Sequence, residues 1–288
     1  MNILFVGVFD KDKRSTNTSQ LISFKKLNHN VVGYNYRKKA AQIGNDFRDV
    51  DLIKVIKERN FDLILYSKCN VVSPKVFRES SQHSKTCLWF MDPLQTYTEE
   101  MKLKTSLVDY FCCDKSNVLD CAKEINPNSF LVCEGYDEEV DRPYDLKKEY
   151  DVTFIGNIYG DRKNFIDGIK KDVKVINGVF GANHAKVVSK SKINLNFCTT
   201  DGASDRVYKI MAAGGFLLTN DWKGRDKNFV DEKDCVVFKD IEDLNKKIDF
   251  YLSNPELIEK IALSGLQTVQ KYNRESWAKN IIKFANEI

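Results

Sequence analysis

Hydrophobic positions along the chain alternate between short, nearly continuous apolar runs and longer stretches with helical periodicity. In the first half these runs predict strands that are separated by helices, notably at 49–59, where an apolar face is provided by Val50, Ile53, Val55 and Ile56. The predicted strands lie at 3–9, 31–36, 61–67, 86–91, 108–113 and 129–133. This alternation is typical of a parallel sheet that is covered on both sides.

The same alternation of strands and helices begins again after a charged stretch with one proline at 138–149, which we interpret as a linker. Strands are predicted at 151–155, 173–180, 192–197, 216–219 and 235–238, and helices from about 161 and at 203–213, 241–252, 255–271 and 274–287. We predict an α/β fold with two Rossmann-like domains at 1–145 and 146–270, and a helix at 271–288 that packs toward the first domain. Ligands bind beyond the carboxyl ends of parallel strands, so two such domains are expected to face each other across a cleft.

The most informative stretch runs from Ser191 to Asp221 and is predicted as strand, polar loop, helix and strand. Gly214 and Gly215 end the helix, because glycine accepts the left-handed conformation that follows a helix C-terminus. A helix N-terminus after a strand attracts anions. Arg206 and Lys209 are on this helix, although Lys209 could equally form a surface ion pair with Asp205. The polar loop and the helix start contain Thr199, Thr200, Asp201, Gly202 and Ser204.

A second candidate anion site follows the strand at 151–155. Gly156 and Asn157 form a turn that lets a ligand approach the backbone, and Arg162 and Lys163 follow near the start of the next helix. These two cations could hold a diphosphate. An ordinary turn with a solvated charge pair is the alternative interpretation.

In the first domain, Asp92 follows an apolar strand at the predicted cleft. A carboxylate there could act as a base or position a sugar hydroxyl, and an Asx turn before Pro93 is the alternative. Basic residues also follow the first three strands, where they would attract a polyanion unless they serve only solubility. We name this set the basic rim; it consists of Lys11, Lys13, Arg14, Arg37, Lys38, Lys39 and Lys68. The aromatic strand residues nearby, Tyr34, Tyr36 and Trp89, could instead pack in the core.

Composition adds few constraints. The chain has 288 residues, of which 42% are hydrophobic and 30% charged, with a formal net charge of +4, too small to indicate a nucleic-acid binder by itself. The excess of positive charge is concentrated in residues 1–50, which contain nine Lys or Arg against four Asp or Glu. The eight cysteines show no zinc spacing, so we expect buried free thiols and a cytoplasmic protein without a signal peptide.

Three histidines, His29, His83 and His184, show no spacing typical of a metal site or of a nucleophile–base pair. We expect His29 and His83 at the surface. His184 follows Gly181 in a predicted loop and is a weak ligand candidate. We expect no obligatory metal.

The runs FIGN, SKINLNF, SDRVYKIMAAGGFLLTND and NPELIEKIALSG together resemble the CgeB-like (spore maturation protein) glycosyltransferases, which belong to the GT-B superfamily. WFMDP and LVCEGYD in the first half agree more loosely. The resemblance implies a nucleoside diphosphate sugar as co-substrate in the second domain, an acceptor in the first, and metal-independent transfer with retention. It also implies that Gly156, Asn157 and Arg162 approach the diphosphate, that the Gly202–Arg206 loop meets the diphosphate and sugar, and that position 209 meets the ribose.

The sequence departs from this pattern at one pair of positions. Many GT-B relatives carry two glutamates where Asp201 and Lys209 stand here. A lysine cannot accept a hydrogen bond from a ribose hydroxyl, but it could contact a phosphate.

We interpret the chain as a glycosyltransferase in which Arg162, Arg206 and Lys209 neutralise the leaving diphosphate and Asp92 orients sugar or acceptor. The basic rim favours a polyanionic acceptor such as hydroxymethylated bases in DNA, which would make this a DNA-modification enzyme. Cell-envelope polymers and proteins are alternative acceptors. An inactive GT-B-like binding module and a nucleic-acid-binding protein without transferase chemistry are alternative functions.

Overall fold

The computed structural model describes residues 1–10, 14–198 and 202–288. Contacts divide the chain into two compact units, of which the first comprises Met1–Glu134 with Arg274–Ile288 and the second comprises Gly135–Asn273. The predicted boundary at 145 therefore lies later than the observed one. The charged stretch belongs to the second unit because it bonds there: the Tyr144 amide donates to Ser189 Oγ at 3.1 Å and Lys148 Nζ donates to the Ser191 carbonyl at 2.8 Å.

The first unit is built on a six-stranded parallel sheet in the order β2-β1-β3-β4-β5-β6. Its strands are β1 (Asn2–Gly7), β2 (Asn30–Asn35), β3 (Leu63–Ser67), β4 (Lys85–Phe90), β5 (Tyr110–Cys113) and β6 (Ser129–Leu131). Its helices are α1 (Thr16–Lys26), α2 (Tyr36–Ile43), α3 (Asn45–Glu58), α4 (Pro74–Ser80), α5 (Glu99–Ser106), α6 (Ser116–Lys123) and α12 (Arg274–Glu287).

Both faces of the first sheet are buried, as its apolar strands predict. Along β4, Leu88 and Phe90 enter one core and Trp89 enters the other, because successive side chains of a strand point to opposite faces. The final helix α12 covers the second face: the ring centroid of Trp277 lies 5.6 Å from that of Trp89. Tyr36 and Trp89 are thus core residues and do not line a binding surface.

The second unit is built on a five-stranded parallel sheet in the order β11-β10-β9-β7-β8. Its strands are β7 (Tyr150–Ile155), β8 (Val173–Ile176), β9 (Ser191–Asn196), β10 (Phe216–Asn220) and β11 (Val236–Phe238). Its helices are α7 (Asp161–Gly168), α8 (Ala182–Ser189), α9 (Asp205–Ala212), α10 (Ile241–Leu252) and α11 (Pro255–Val269). Strand β8 is shorter than predicted, because Gly178 has a φ of +73°, which does not continue a strand.

The end of α9 is the glycine stop that the sequence predicts. Gly214 has a φ of +70°, and the amides of Gly214 and Gly215 donate to the carbonyls of Met211 and Ile210 at 3.0 and 2.9 Å. The stop turns the chain directly into β10. The carboxyl end of α9 is therefore fixed by backbone hydrogen bonds.

Candidate functional site

The strand order places a crevice at one position in the second sheet. From β7 the chain moves outward to β8 and then returns past β7 to β9, so the direction of winding reverses between β7 and β9. In open parallel sheets such a switch point, at the carboxyl ends of the strands, is where ligands bind. The residues that follow these two strands include Gly156 and the first turn of α9.

Arg206 joins the two loops at this switch point. Its Nη1 donates to the carbonyl oxygen of Ile155 at 3.1 Å, and its guanidinium lies 5.5 Å from the centroid of the Phe154 ring. Gly156 has a φ of +142°, and a Cβ atom at this position would lie 2.4 Å from Arg206 Nη1. Glycine is therefore required at position 156 for the guanidinium to rest against the backbone.

A second arginine lies beside the first. Arg162 Nη1 donates to the carbonyl oxygen of Asn157 at 3.3 Å, and its guanidinium lies 4.3 Å from the ring centroid of the exposed Tyr159. Burial lowers the pKa of Arg162 below its ordinary value, and the positive charge of Arg206 lowers it further. The structure thus brings together two arginines that are 44 positions apart in the sequence.

Neither arginine has a carboxylate partner within the part of the chain that the structure describes; their hydrogen bonds go to backbone carbonyls. Two neighbouring guanidinium groups repel each other when nothing neutralises them. An anion with several oxygens removes that repulsion and accepts their remaining donors. The arrangement is chemically an anion site that is suited to phosphate groups.

The other cations predicted at this site are neutralised locally. Lys209 Nζ lies 2.5 Å from Asp205 Oδ2, one helical turn away, so the ion-pair interpretation holds for this pair. Lys163 forms the same kind of pair with Asp167 on α7, and 67% of its side chain is exposed. Lys163 therefore belongs to a solvent-exposed ion pair.

Hydrogen bonds hold both ends of the loop between β9 and α9. The Cys198 amide donates to Asn220 Oδ1 at 2.7 Å and Asn220 Nδ2 donates to the Cys198 carbonyl at 3.0 Å. At the other end Ser204 Oγ donates to Asn196 Oδ1 at 3.2 Å, and Gly202 is buried. The predicted residues Thr199, Thr200 and Asp201 between these ends lie outside the described residues.

His184 is a residue that the sequence placed in a loop and the structure places in a helix. It lies in the first turn of α8, which packs against α9, and only 5% of it is exposed. Burial lowers its pKa to about 3, helped by the charge of Lys209, so the imidazole is neutral at pH 7. No pattern in the sequence marks this burial.

In the first unit, two predicted residues form an ion pair at the carboxyl ends of β3 and β4. Lys68 Nζ lies 2.6 Å from Asp92 Oδ1, and each side chain is about one-third exposed, at 34% and 35%. Lys68 and Cys69 both have a left-handed backbone, with φ of +60° and +54°. The buried Lys104 supports this turn by donating to the carbonyls of Cys69 and Asn70 at 3.1 and 2.9 Å.

The described part of the basic rim is less positive than the sequence predicts. Arg37 and Lys38, in the first turn of α2, are exposed. Lys39 pairs with Asp51 at 2.9 Å, and Lys68 pairs with Asp92. Arg14 is half-buried with a φ of +50°. Lys11 and Lys13 lie outside the described residues.

Three further observations concern the described residues only. All eight cysteines lie among them as free thiols, six of them buried. They include no group of three or more His, Cys, Asp or Glu side chains that could hold a metal ion. No helix among them has the length and apolar character that crossing a membrane requires.

Two parallel Rossmann-like sheets and a C-terminal helix that returns to the first of them form the fold of the GT-B glycosyltransferases. A sequence profile described as glycosyl transferase-like matches residues 140–283, half of the chain. The chain therefore belongs to the glycosyl transferase-like family. A comparison with curated protein sequences finds no significant match.

Solved structures share this fold at low sequence identity. HepE from Anabaena, in complex with UDP and glucose, is 10% identical with a TM-score of 0.71, and the match covers 100% of both chains. Sucrose-phosphate synthase from Thermosynechococcus elongatus is 10% identical with a TM-score of 0.70, over 100% of this chain and 99% of that one. An alpha-glucosyltransferase in complex with UDP-glucose and DNA containing an abasic site is 10% identical with a TM-score of 0.67, over 99% of both chains.

Proposed function

We propose that this protein transfers a sugar from a uridine diphosphate sugar to a hydroxyl acceptor, and that the second unit binds the donor at its switch point. The observation that carries the proposal is the pair of guanidinium groups, Arg162 and Arg206, without carboxylate partners among the described residues. A diphosphate supplies the charge and the acceptors that they lack. The uridine is proposed from HepE and the alpha-glucosyltransferase, whose structures hold UDP or UDP-glucose.

The same pair suggests how the reaction is assisted. When the bond between sugar and diphosphate breaks, negative charge grows on the leaving oxygen. Two cations that are already held in place stabilise this charge without reorganisation. We therefore propose a metal-independent transfer in which Arg206 and Arg162 neutralise the leaving group. Retention of configuration, and placement in the CgeB-like subfamily, rest on the sequence resemblance.

Backbone and polar groups near the arginines complete the proposed donor site. Gly156 lets Arg206 rest against the end of β7, where we propose that it meets the diphosphate, and Asn157, Gly202 and Ser204 lie at the loops beside it. We propose that Asp205 acts by holding Lys209. Asp201 stays a proposed donor residue from the sequence. In the first unit we propose that Asp92, held by Lys68, orients the sugar or the acceptor hydroxyl.

Ligand-induced stabilisation tests the donor proposal. UDP and UDP-glucose should raise the melting temperature of the wild type, because a ligand that binds only the native state stabilises it. Arg206→Ala and Arg162→Ala should each weaken UDP binding about 10- to 150-fold, since a hydrogen bond to a charged group contributes about 1.5–3 kcal/mol. Lys192→Ala is the matched control, because Lys192 pairs with Asp151 near the amino ends of β9 and β7.

Three outcomes decide the donor proposal. UDP binding that depends on both arginines but not on Lys192 supports it. Slow release of UDP from UDP-glucose in the absence of acceptor supports an enzyme, whereas tight binding without any turnover would indicate an inactive binding module. A wild type that binds neither UDP nor UDP-glucose would refute the proposed uridine donor.

For the acceptor we propose a polyanion, with hydroxymethylated DNA as the specific candidate. The exposed Arg37 and Lys38 support it, together with the DNA that is present in the alpha-glucosyltransferase complex. A base in a duplex would have to be flipped out to react. The alternative acceptors are cell-envelope polymers and proteins.

Charge reversal tests the acceptor. With UDP-glucose as donor and a hydroxymethylcytosine-containing duplex as acceptor, Arg37→Glu/Lys38→Glu should reduce transfer strongly at low salt, whereas Lys54→Glu on the exposed face of α3 should not. Transfer to the duplex that is equal in both variants would refute the role of these two residues. If the wild type turns over UDP-glucose but transfers no sugar to the duplex, the DNA acceptor is refuted and the cell-envelope polymers and proteins remain.

A further inference from the structure

The buried imidazole of His184 has no hydrogen-bond partner on either ring nitrogen among the described residues. Other buried polar groups of the second unit are satisfied, such as Thr153 and Ser191, whose hydroxyls bond each other at 2.9 Å. A buried polar group without a partner is rare and costs stability. Two unsatisfied nitrogens on one ring therefore call for a partner that the polypeptide itself does not supply.

The position of the ring points to the donor site. His184 lies in the first turn of α8, after the carboxyl end of β8, and α8 packs against α9. The charged groups that act on it are Lys209, Asp205 and Arg206, all in the first two turns of α9. Its ring thus lies within electrostatic reach of the arginine that is proposed to hold the diphosphate.

We propose that His184 binds a hydroxyl group of the nucleoside diphosphate sugar, next to the diphosphate held by Arg206. This inference rests on the proposed function. A neutral imidazole has one N–H donor and one acceptor nitrogen. The cations Lys209 and Arg206 oppose a proton on the second nitrogen, and burial opposes it more strongly, so both capacities persist at pH 7.

The chemistry of the ring selects a hydroxyl rather than a phosphate oxygen. A phosphate oxygen only accepts hydrogen bonds, so it leaves the acceptor nitrogen of the imidazole unused. Hydroxyl groups both donate and accept, so one hydroxyl can bond whichever ring nitrogen faces the ligand, as donor or as acceptor. Such groups occur on the ribose and on the transferred sugar, which are the two parts of the donor that flank the diphosphate.

Substitution of His184 should separate affinity from stability. His184→Leu removes two unsatisfied nitrogens and keeps a side chain of branched apolar shape, so the melting temperature of the free protein should stay the same or rise. The affinity for UDP or UDP-glucose should fall about 5- to 30-fold, as expected for the loss of one or two neutral hydrogen bonds. His83→Leu, at an exposed position in the first unit, is the control and should change neither quantity.

Ring-nitrogen NMR spectra of the wild type provide a test that does not depend on a variant folding. The chain has only three histidines, so the signals of His184, His29 and His83 can be assigned separately. A shift of the His184 signals with UDP that pyrophosphate does not produce assigns the hydroxyl to the ribose, and a shift only with UDP-glucose assigns it to the transferred sugar.

The outcomes distinguish this inference from the proposed function. His184 signals that stay unchanged at saturation with both ligands, or a folded His184→Leu variant with wild-type affinity for both, would overturn the role of His184 alone. A wild type that binds neither ligand would overturn the uridine donor proposal and this inference with it.

Discussion

Gly156→Ala is the substitution that most directly probes the junction of the two donor loops. The new Cβ would lie 2.4 Å from Arg206 Nη1, far inside contact distance. The clash is with the end of a flexible side chain, so it is relieved when the guanidinium moves away from the Ile155 carbonyl. We therefore expect the variant to fold with Arg206 displaced, and to lose affinity for the diphosphate.

Two contributions determine the size of the effect. The backbone φ of +142° is unfavourable for alanine and should lower the free energy of unfolding by about 1–3 kcal/mol. Displacement of Arg206 removes a hydrogen bond to a charged group, worth about 1.5–3 kcal/mol of binding, which corresponds to an affinity for UDP about 10- to 150-fold weaker. The first effect appears in the free protein, and the second appears only when ligand binds.

Gly160→Ala separates the two contributions. Gly160 precedes α7 in the same loop and also has a positive φ, of +54°, but no atom lies within 4 Å of an added Cβ. It should therefore lower stability and leave UDP affinity unchanged. Isothermal titration with UDP and unfolding in urea measure both quantities for each variant.

A double-mutant cycle completes the test. If Gly156→Ala acts through Arg206, its effect on UDP affinity should nearly disappear in an Arg206→Ala background. The reasoning is refuted if Gly156→Ala weakens UDP binding by the same factor in both backgrounds, or if Gly160→Ala weakens it equally.

Three further substitutions test the supports of the two sheets. Gly215→Ala places a Cβ 2.4 Å from Val188 Cγ1 and should lower the free energy of unfolding in urea by about 1–3 kcal/mol through overpacking. Lys104→Met leaves the carbonyls of Cys69 and Asn70 without their buried donor and should cost about 2–4 kcal/mol in the same assay. Burial raises the pKa of Asp114 to about 7, so the native state binds a proton that the unfolded state releases. The contribution of Asp114 to stability should therefore fall as the pH rises from about 4 to 7, by up to about 1.4 kcal/mol per pH unit, which the difference between wild type and Asp114→Asn measures.

Each of these expectations has its own check. Val188→Ala should recover part of the loss caused by Gly215→Ala, and no recovery would contradict the overpacking explanation. Lys102→Met is the control for Lys104→Met, since Lys102 pairs with the exposed Glu99 and should matter little. A stability difference between wild type and Asp114→Asn that stays constant from pH 4 to 7 would show that the Asp114 carboxylate is not destabilised by burial.

The periodicity of hydrophobic residues predicts the ends of helices and strands closely where a local sequence signal marks the same end that the structure shows. The helices at 241–252 and 274–287 are predicted with the ends that the structure shows, because Asp240 caps one and Asn273, in an extended conformation, precedes the other. The strand that is predicted to reach residue 180 ends at Ile176, because Gly178, two residues later, has a left-handed backbone conformation. The linker prediction fails for a different reason: a charged composition does not reveal that backbone and lysine groups at 144–148 bond to the second unit.

The sequence predicts which segments form the candidate site, but it does not predict the contacts between them. Sequence spacing identifies the glycine turn and the helix start, and it correctly leaves open the ion pair of Lys209 with Asp205, but it does not anticipate that of Lys163 with Asp167. It cannot show that Arg206 crosses to Ile155, because that contact depends on the order of strands in the sheet. The burial of His184 likewise depends on how α8 and α9 pack, which a polar loop pattern conceals.

Lys209 is the residue whose chemistry the sequence left most open, and its ion pair clarifies what it does. A free lysine at this position would add a third positive charge to the site. The contact with Asp205 instead neutralises it within one turn of α9, with only 24% and 28% of the two side chains exposed. Arg206 and Arg162 then remain as the charges available to a diphosphate. The neutral imidazole of His184 on the neighbouring helix, whose ring nitrogens have no partner among the described residues, then offers a donor and an acceptor beside these cations.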